Sequence, residues 1–123
     1  MRKIVLGAAL CLAPLTAALA QTMTVATFLA KAEALKKKGA MAVFSSDIGK
    51  LKAEVEGSGK QLRAERLAAQ KGGGKPAFCP PPAGKGSVNS NELLAHFNAI
   101  PPAQRGMSVK DGFAGLLRKK FPC

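Results

Sequence analysis

Apolar residues recur three and four positions apart along most of this sequence, which is the spacing of one face of an α-helix. The clearest example lies between Thr24 and Lys38. Its apolar face consists of Val25, Phe28, Leu29, Ala32 and Leu35. Thr24 is a residue type that caps the start of a helix, and Gly39 can adopt the left-handed conformation that ends one. The pattern therefore predicts an α-helix over this range.

A second helical region covers residues 40–70. Its apolar stripe consists of Ile48, Leu51, Val55, Leu62 and Leu67. Gly57 and Gly59 lie within it, and each should cost about 1 kcal/mol relative to alanine in an exposed helix interior. The glycines mark either a break or a place where another helix packs closely. The region therefore forms one kinked helix or two shorter helices.

Two further helices are predicted near the C-terminus. Asn89 can cap the third helix together with Glu92, because the two residues have the spacing of a capping box. Two prolines stop that helix after Ile100. The last helix begins near Ser108 and ends at two lysines, which suit the negative end of the helix dipole.

These apolar faces are expected to meet in one core, so the fold class predicted is all-α, a small bundle of about four helices. The expected core residues are Val25, Phe28, Leu29, Leu35, Ile48, Leu51, Val55, Leu62, Leu93, Leu94, Phe97, Val109, Phe113, Leu116 and Leu117.

The first twenty residues have the pattern of a secretory signal: a basic start, an apolar stretch and small residues before Gln21. A retained membrane anchor is the alternative, but the apolar stretch is too short to cross about 30 Å of hydrocarbon. Lipidation of Cys11 is disfavoured because Leu10 precedes it. We therefore expect a signal peptide over residues 1–20, a single domain over residues 21–123, and a periplasmic or secreted location.

Removal of the signal leaves two cysteines, Cys79 and Cys123, in a compartment that permits disulfides. One intramolecular pairing is then available, and it should stabilise the fold by about 4 kcal/mol in the chain-entropy model. The alternatives are a metal site and a reactive thiol. Zinc needs about four ligands, and the chain adds only one histidine, so a metal site is disfavoured.

The segment between the second and third helices combines a glycine-rich run with a proline-rich one. The run Lys71–Lys75 matches neither phosphate-binding glycine motif and is interpreted as a linker. The prolines that follow Cys79 form a stiff extended segment, because proline fixes φ and donates no backbone hydrogen bond.

No group of residues predicts catalysis. His96 is the only histidine, and the seven acidic residues are scattered, so a nucleophile has no evident base. For His96 a surface or packing role is favoured. We expect no enzymatic activity, no catalytic residue, no cofactor and no metal.

Two short motifs carry a resemblance to a known family. The order Phe78-Cys79-Pro-Pro, a capped helix with paired leucines, and a helix ending in Phe121-Pro122-Cys123 resembles the Tai/Rap family. Phe28-Leu29 with Leu35 is similar to the opening helix of that family. The resemblance covers most of the chain after residue 20 loosely and its C-terminal half better. A second cysteine pair, common in the family's middle region, does not occur here.

The resemblance implies a small exported immunity protein that occludes a peptidoglycan amidase toxin delivered by type VI secretion. The stiff loop from Pro80 to Ser87 is the candidate partner-binding surface, since rigid loops lose little entropy on docking. The candidate residues are Pro80, Pro81, Pro82, Lys85 and Ser87. A homodimer is left open.

The net charge of +12 suggests a rival function. A basic exported protein can bind polyanions of the envelope, such as acidic lipid or wall polymer, without any protein partner. Specific nucleic-acid binding is disfavoured, because the chain has no Trp, no Tyr and no aromatic residues interleaved with its lysines.

Overall fold

The computed structural model describes residues 23–81 and 86–123, and the predicted signal peptide lies outside them. These residues form four α-helices, with no β-strand among them: α1 (Val25–Lys38), α2 (Ser46–Lys71), α3 (Ser90–Ala99) and α4 (Val109–Lys120). Two short 3-10 helices, Gly39–Phe44 and Pro102–Gln104, connect them. The all-α prediction is confirmed. None of the helices described is both long enough and apolar enough to span a membrane.

The predicted caps define where the helices begin. The Thr24 side chain accepts the backbone N–H of Thr27 at the start of α1. Asn89 and Glu92 close a complete capping box on α3, with N···O distances of 2.9 and 3.0 Å. Ser108 accepts the N–H of Asp111 at the start of α4. Each side chain thereby satisfies a donor that the helix itself leaves unpaired.

The region from residue 40 to residue 70 is a 3-10 segment followed by one continuous helix. Ser45 caps α2, which then runs without interruption through both internal glycines. A Cβ atom at Gly59 would lie 3.5 Å from the Phe113 ring, whereas one at Gly57 would meet nothing. Of the alternatives considered, a single helix is therefore correct, and Gly59 lies where another helix packs closely.

Helix α4 lies at the centre of the core. Phe97, Val25 and Val109 have no exposed surface, and the rings of Phe28 and Phe97 meet edge to face at 5.3 Å. Fourteen of the fifteen predicted core residues are buried or packed against the core. Ile48 is the exception: it lies in the first turn of α2 and does not belong to the core cluster. Leu67 in the predicted stripe is 41% exposed.

The two ends of the described chain are fastened to α4. At its start, the Val25 N–H donates to the Met107 carbonyl and the Val109 N–H donates to the Met23 carbonyl, at 2.9 and 2.8 Å. Beyond its end, a disulfide joins Cys79 to Cys123, as predicted. The N–H of Cys79 also donates to the Phe121 carbonyl at 2.8 Å. The start of the proline segment is therefore held against the residues that follow α4 by one covalent and one hydrogen bond.

Candidate functional site

An apolar groove of about 550 Å³ opens between α1, α2 and the start of α3. Its apolar lining consists of Phe28, Ala32, Leu35, Leu51, Val55, Val88, Leu93, Leu94 and Phe113. Five of these side chains are only partly buried, although they pack against the core: Ala32, Leu35, Val55, Val88 and Leu94. The groove is therefore a region where apolar surface meets solvent, and such a surface is suited to binding.

Helical periodicity places these side chains on facing walls. Phe28, Ala32 and Leu35 are four and three residues apart on α1, so they lie one above the other along a single face. Leu51 and Val55 are one turn apart on α2. Leu93 and Leu94 form the far side of the groove. They directly follow the capping box that fixes where α3 begins.

The rim of the groove is polar and mostly basic. Lys36 and Lys52 line it together with a single acid, Glu56, and all three are exposed. Asn89 and Ser90 at the start of α3 complete the rim. An apolar floor with two lysines and one glutamate at its edge favours a partner surface that is apolar in the middle and acidic outside.

A second apolar surface follows the α1 wall of the groove in sequence. The 3-10 helix Gly39–Phe44 exposes Met41, Val43 and Phe44 by 64%, 70% and 80%. We call these three residues the hairpin tip, because they connect α1 to α2. Exposed large apolar side chains so close together are typical of interaction sites.

The loop proposed from sequence is only partly described. Pro80 and Pro81 are half-buried and Ser87 is exposed, whereas Pro82 and Lys85 lie outside the described residues. The Ser87 carbonyl accepts the ammonium of Lys120 at 2.8 Å. Because Val88 lines the groove, the C-terminal end of this loop leads directly into the groove wall. Pro80, next to the disulfide, does not line the groove.

The same lysine organises the start of α3. Lys120 Nζ lies 2.7 and 2.8 Å from the two carboxylate oxygens of Glu92. These hydrogen bonds, with the one from the Asn89 backbone, hold the pKa of Glu92 below its ordinary value. Lys120 therefore holds together the end of the loop, the start of α3 and the end of α4.

His96 has a packing role between α3 and α4. Its Nε2 lies 3.3 Å from where a Cβ of Gly115 would be, so a side chain at that position would require the imidazole to move by a few tenths of an ångström. Burial lowers the pKa of His96, because the charged ring is desolvated, while a hydrogen bond to the Gly112 backbone acts in the opposite direction. Within the two described ranges, no three His, Cys, Asp or Glu side chains are grouped closely enough to hold a metal ion.

Sequence reasoning did not find the groove or the hairpin tip. The signal for the tip was present, since residues 40–44 are all apolar and follow a glycine, a pattern with no polar face. The groove carried no comparable signal, because its residues are ordinary members of three amphipathic faces.

Comparison of the chain with protein-family models, curated proteins and solved structures found no match in any of the three.

Proposed function

We propose that this protein is an exported inhibitor that binds an acidic protein partner in the groove between α1, α2 and α3. The observation that carries the proposal is the groove itself, an apolar cleft of about 550 Å³ with a basic rim. The resemblance of Phe78-Cys79 and Phe121-Pro122-Cys123 to the Tai/Rap family names the partner class as a peptidoglycan amidase toxin. The inhibition is stoichiometric occlusion and requires no cofactor.

In this proposal the apolar lining contributes most of the binding free energy of the complex. Leu35, Val55 and Leu94 retain exposed surface that a partner would cover, and covered apolar area contributes about 25 cal/mol per Å² before association costs. The three side chains are anchored in helices, so they lose little freedom on binding. A partner segment with an apolar ridge fits this site.

The charge of the chain supplies speed and selectivity. With Lys36 and Lys52 at the rim and a large positive net charge, an acidic partner would be steered toward the groove. Steering affects the association rate most, whereas the apolar contacts affect dissociation. The loop end at Ser87, next to Val88 in the groove wall, adds contacts at one end of the groove.

A charged residue placed in the groove tests this proposal. Leu35→Glu is expected to weaken capture of an amidase toxin by at least about tenfold, the effect of losing an interface anchor. Leu67→Glu is the matched control, because Leu67 is a partly exposed leucine on α2 that does not line the groove. Binding is measured by calorimetry, and circular dichroism checks that both variants keep the helical fold.

Phe44→Ser provides a variant that leaves the core untouched. Phe44 is 80% exposed and does not line the groove, so its loss should leave stability unchanged, and weaker partner binding in this variant would extend the binding surface to the hairpin tip. If the wild-type chain neither retains nor protects against an amidase toxin, the inhibitor proposal is wrong. Equal binding by the Leu35 and Leu67 variants would place the partner elsewhere on the surface.

Envelope polyanion binding is the second candidate, and the distribution of cations favours it. Lys36, Lys37 and Lys38 are all exposed at the end of α1, and none is in an ion pair within the described part of the chain. Binding of this kind depends on counterion release, so affinity falls steeply with salt. We expect binding to envelope extract to disappear by about 0.15 M salt, where screening acts within roughly 8 Å. Tight, saturable binding to wall polymer above that concentration would favour this function over inhibition.

A further inference from the structure

A smaller pocket of about 310 Å³ lies between the C-terminal half of α2, helix α4 and the segment before Cys79. Its apolar floor includes Phe78. The charged side chains that line it are Glu65, Arg66, Lys75, Lys110, Asp111 and Arg118. Neither the groove nor the hairpin tip includes any of these residues, so this pocket is independent of the proposed inhibitor site.

The pocket carries a surplus of positive charge. Lys110 forms an ion pair with Glu65, which neutralises both groups. Arg66, Lys75 and Arg118 form no ion pair with any described residue, and Asp111 is the one remaining acid. Three cations around one small pocket repel one another unless an anion lies between them.

Arg66 provides an independent indication. Its guanidinium carbon lies 5.8 Å from the centre of the Phe78 ring, so the cationic group is within cation–π range of an aromatic face. Its Nε atom is buried and has no hydrogen-bond partner among the described residues. Buried N–H donors are nearly always paired, and a donor on a charged group is the most costly to leave unpaired.

The support beneath Arg66 is rigid. Phe78 is buried, and it directly precedes Cys79, whose sulfur and N–H both bind the C-terminal segment. The disulfide therefore fixes the aromatic face on which the guanidinium lies. A donor group held in place before binding loses little entropy when the ligand arrives.

We propose that this pocket binds a phosphate group. Arg66 donates from its unpaired Nε and a neighbouring nitrogen, in the two-point geometry that arginine offers to oxyanions. Lys75 and Arg118 supply charge from the other sides. A phosphate group is favoured over a carboxylate because its larger number of oxygens and its second negative charge match three cations. Asp111 repels the phosphate because both groups are negatively charged, and it therefore lowers the affinity of the pocket.

A titration with inorganic phosphate tests the site directly. The purified, disulfide-intact protein is followed by nitrogen-edited NMR in about 0.15 M sodium chloride, at which general surface attraction is screened. We expect a saturable shift of the Arg66 Nε–H resonance. Arg66→Gln should weaken binding by about tenfold, as the loss of a charge-assisted hydrogen bond predicts.

Arg63→Gln is the matched control. Arg63 lies one turn earlier on α2, is exposed and does not line the pocket, yet the substitution removes the same charge from the same helix. We expect it to change the affinity by less than about twofold, the effect of a screened surface charge. Equal losses in the Arg63 and Arg66 variants, or a shift that does not saturate, would overturn the proposal.

Two further variants protect the result against misfolding. Arg118→Gln alters an exposed side chain and should also weaken binding, whereas Asp111→Asn should tighten it by about threefold or more as one screened repulsion is removed. A tighter complex cannot arise from damage to the fold. Unchanged affinity in Asp111→Asn together with Arg118→Gln would contradict the assignment of the pocket.

The source of the phosphate group is distinguished by parallel arms of the titration. Glycerol phosphate stands for a lipid headgroup or wall polymer unit, and phosphatidylglycerol vesicles stand for the membrane surface. Binding of inorganic phosphate and glycerol phosphate, lost equally in Arg66→Gln, supports the pocket with either source. Vesicle binding that is indifferent to Arg66 and shows no competition with free phosphate would overturn it. These outcomes can be interpreted even if the protein captures no toxin, because the pocket shares no lining residue with the groove.

Discussion

Helices α2 and α4 are both amphipathic by sequence, yet they belong to the fold in opposite ways. Six of the twelve residues of α4 are buried, against three of the twenty-six residues of α2. Because α4 contacts every other α-helix, its sequence is constrained by neighbours on nearly all sides. Helix α2 contacts the rest of the molecule along one narrow stripe and is free on its other faces.

This difference places the candidate binding surfaces. Both the groove and the phosphate pocket have one wall on α2, at Leu51 and Val55 and at Leu62 and Arg66 respectively. A helix that buries little can carry different surfaces along its length without disturbing the core. Substitutions in α4 and its core partners should therefore affect stability more than substitutions on the exposed faces of α2.

The largest effect is expected at the ring that α3 places against α4. Phe97→Ala removes a fully buried ring that contacts Phe28 edge to face, so it should lower the free energy of unfolding by about 4 kcal/mol. Leu67→Ala on α2 should change it by less than about 0.5 kcal/mol, because that side chain is already partly in solvent. Urea denaturation of the oxidised protein measures both. Similar losses in the two variants would contradict the division between the helices.

Reduction of the disulfide comes next. The bridge between Cys79 and Cys123 closes 44 positions of chain, and losing it should destabilise the protein by about 4 kcal/mol, the chain-entropy value for a loop of this length. The change is measured by thermal unfolding with and without reductant. A double Cys→Ala variant that does not respond to reductant is the control. Non-reducing mass spectrometry that finds two free thiols would remove the basis of the prediction.

Two glycines give effects of opposite sign. A Cβ at Gly112 of α4 would lie 2.9 Å from Val25 Cγ2 and 3.0 Å from the Phe97 ring, so Gly112→Ala should destabilise by roughly 2 kcal/mol. At Gly57 of α2 a Cβ meets nothing, so Gly57→Ala should stabilise by about 1 kcal/mol through helix propensity alone. Denaturation midpoints report both signs, and a stabilising Gly112→Ala would show that α4 is not tightly packed.

These glycines also show how far sequence alone could reach. Helix positions, caps and the disulfide followed from local rules, because a capping residue or a cysteine has few alternative uses. Which of Gly57 and Gly59 meets another helix could not follow, since both have the same local environment in sequence. The second pocket was hidden for the same reason: Lys75 lies in a linker and Arg66 on a charged face, and only the fold brings them together.

A smaller effect is expected at the cap of α3. Asn89→Ala removes one half of the capping box and should destabilise by about 1 kcal/mol. Asn91→Ala is the matched control, because Asn91 is exposed in the first turn of the same helix. Chemical denaturation compares the two variants. Equal effects would mean that the loss reflects the first turn in general and not the cap.

The smallest effect is a dependence of stability on pH, in two separate windows. Burial lowers the pKa of His96 from its ordinary 6.5, so between that value and the folded pKa the unfolded chain binds more protons than the native one. The hydrogen bonds from Lys120 lower the pKa of Glu92 from its ordinary 4.5 in the same sense. Both contributions are complete above the ordinary pKa, and each is lost as the pH falls through the folded pKa.

His96→Gln should therefore flatten the stability profile just below pH 6.5 and leave the region below pH 4.5 unchanged, whereas Glu92→Gln should do the reverse. Unfolding free energies measured across both windows decide this, and a slope near pH 6 that persists in His96→Gln would show that another group is responsible.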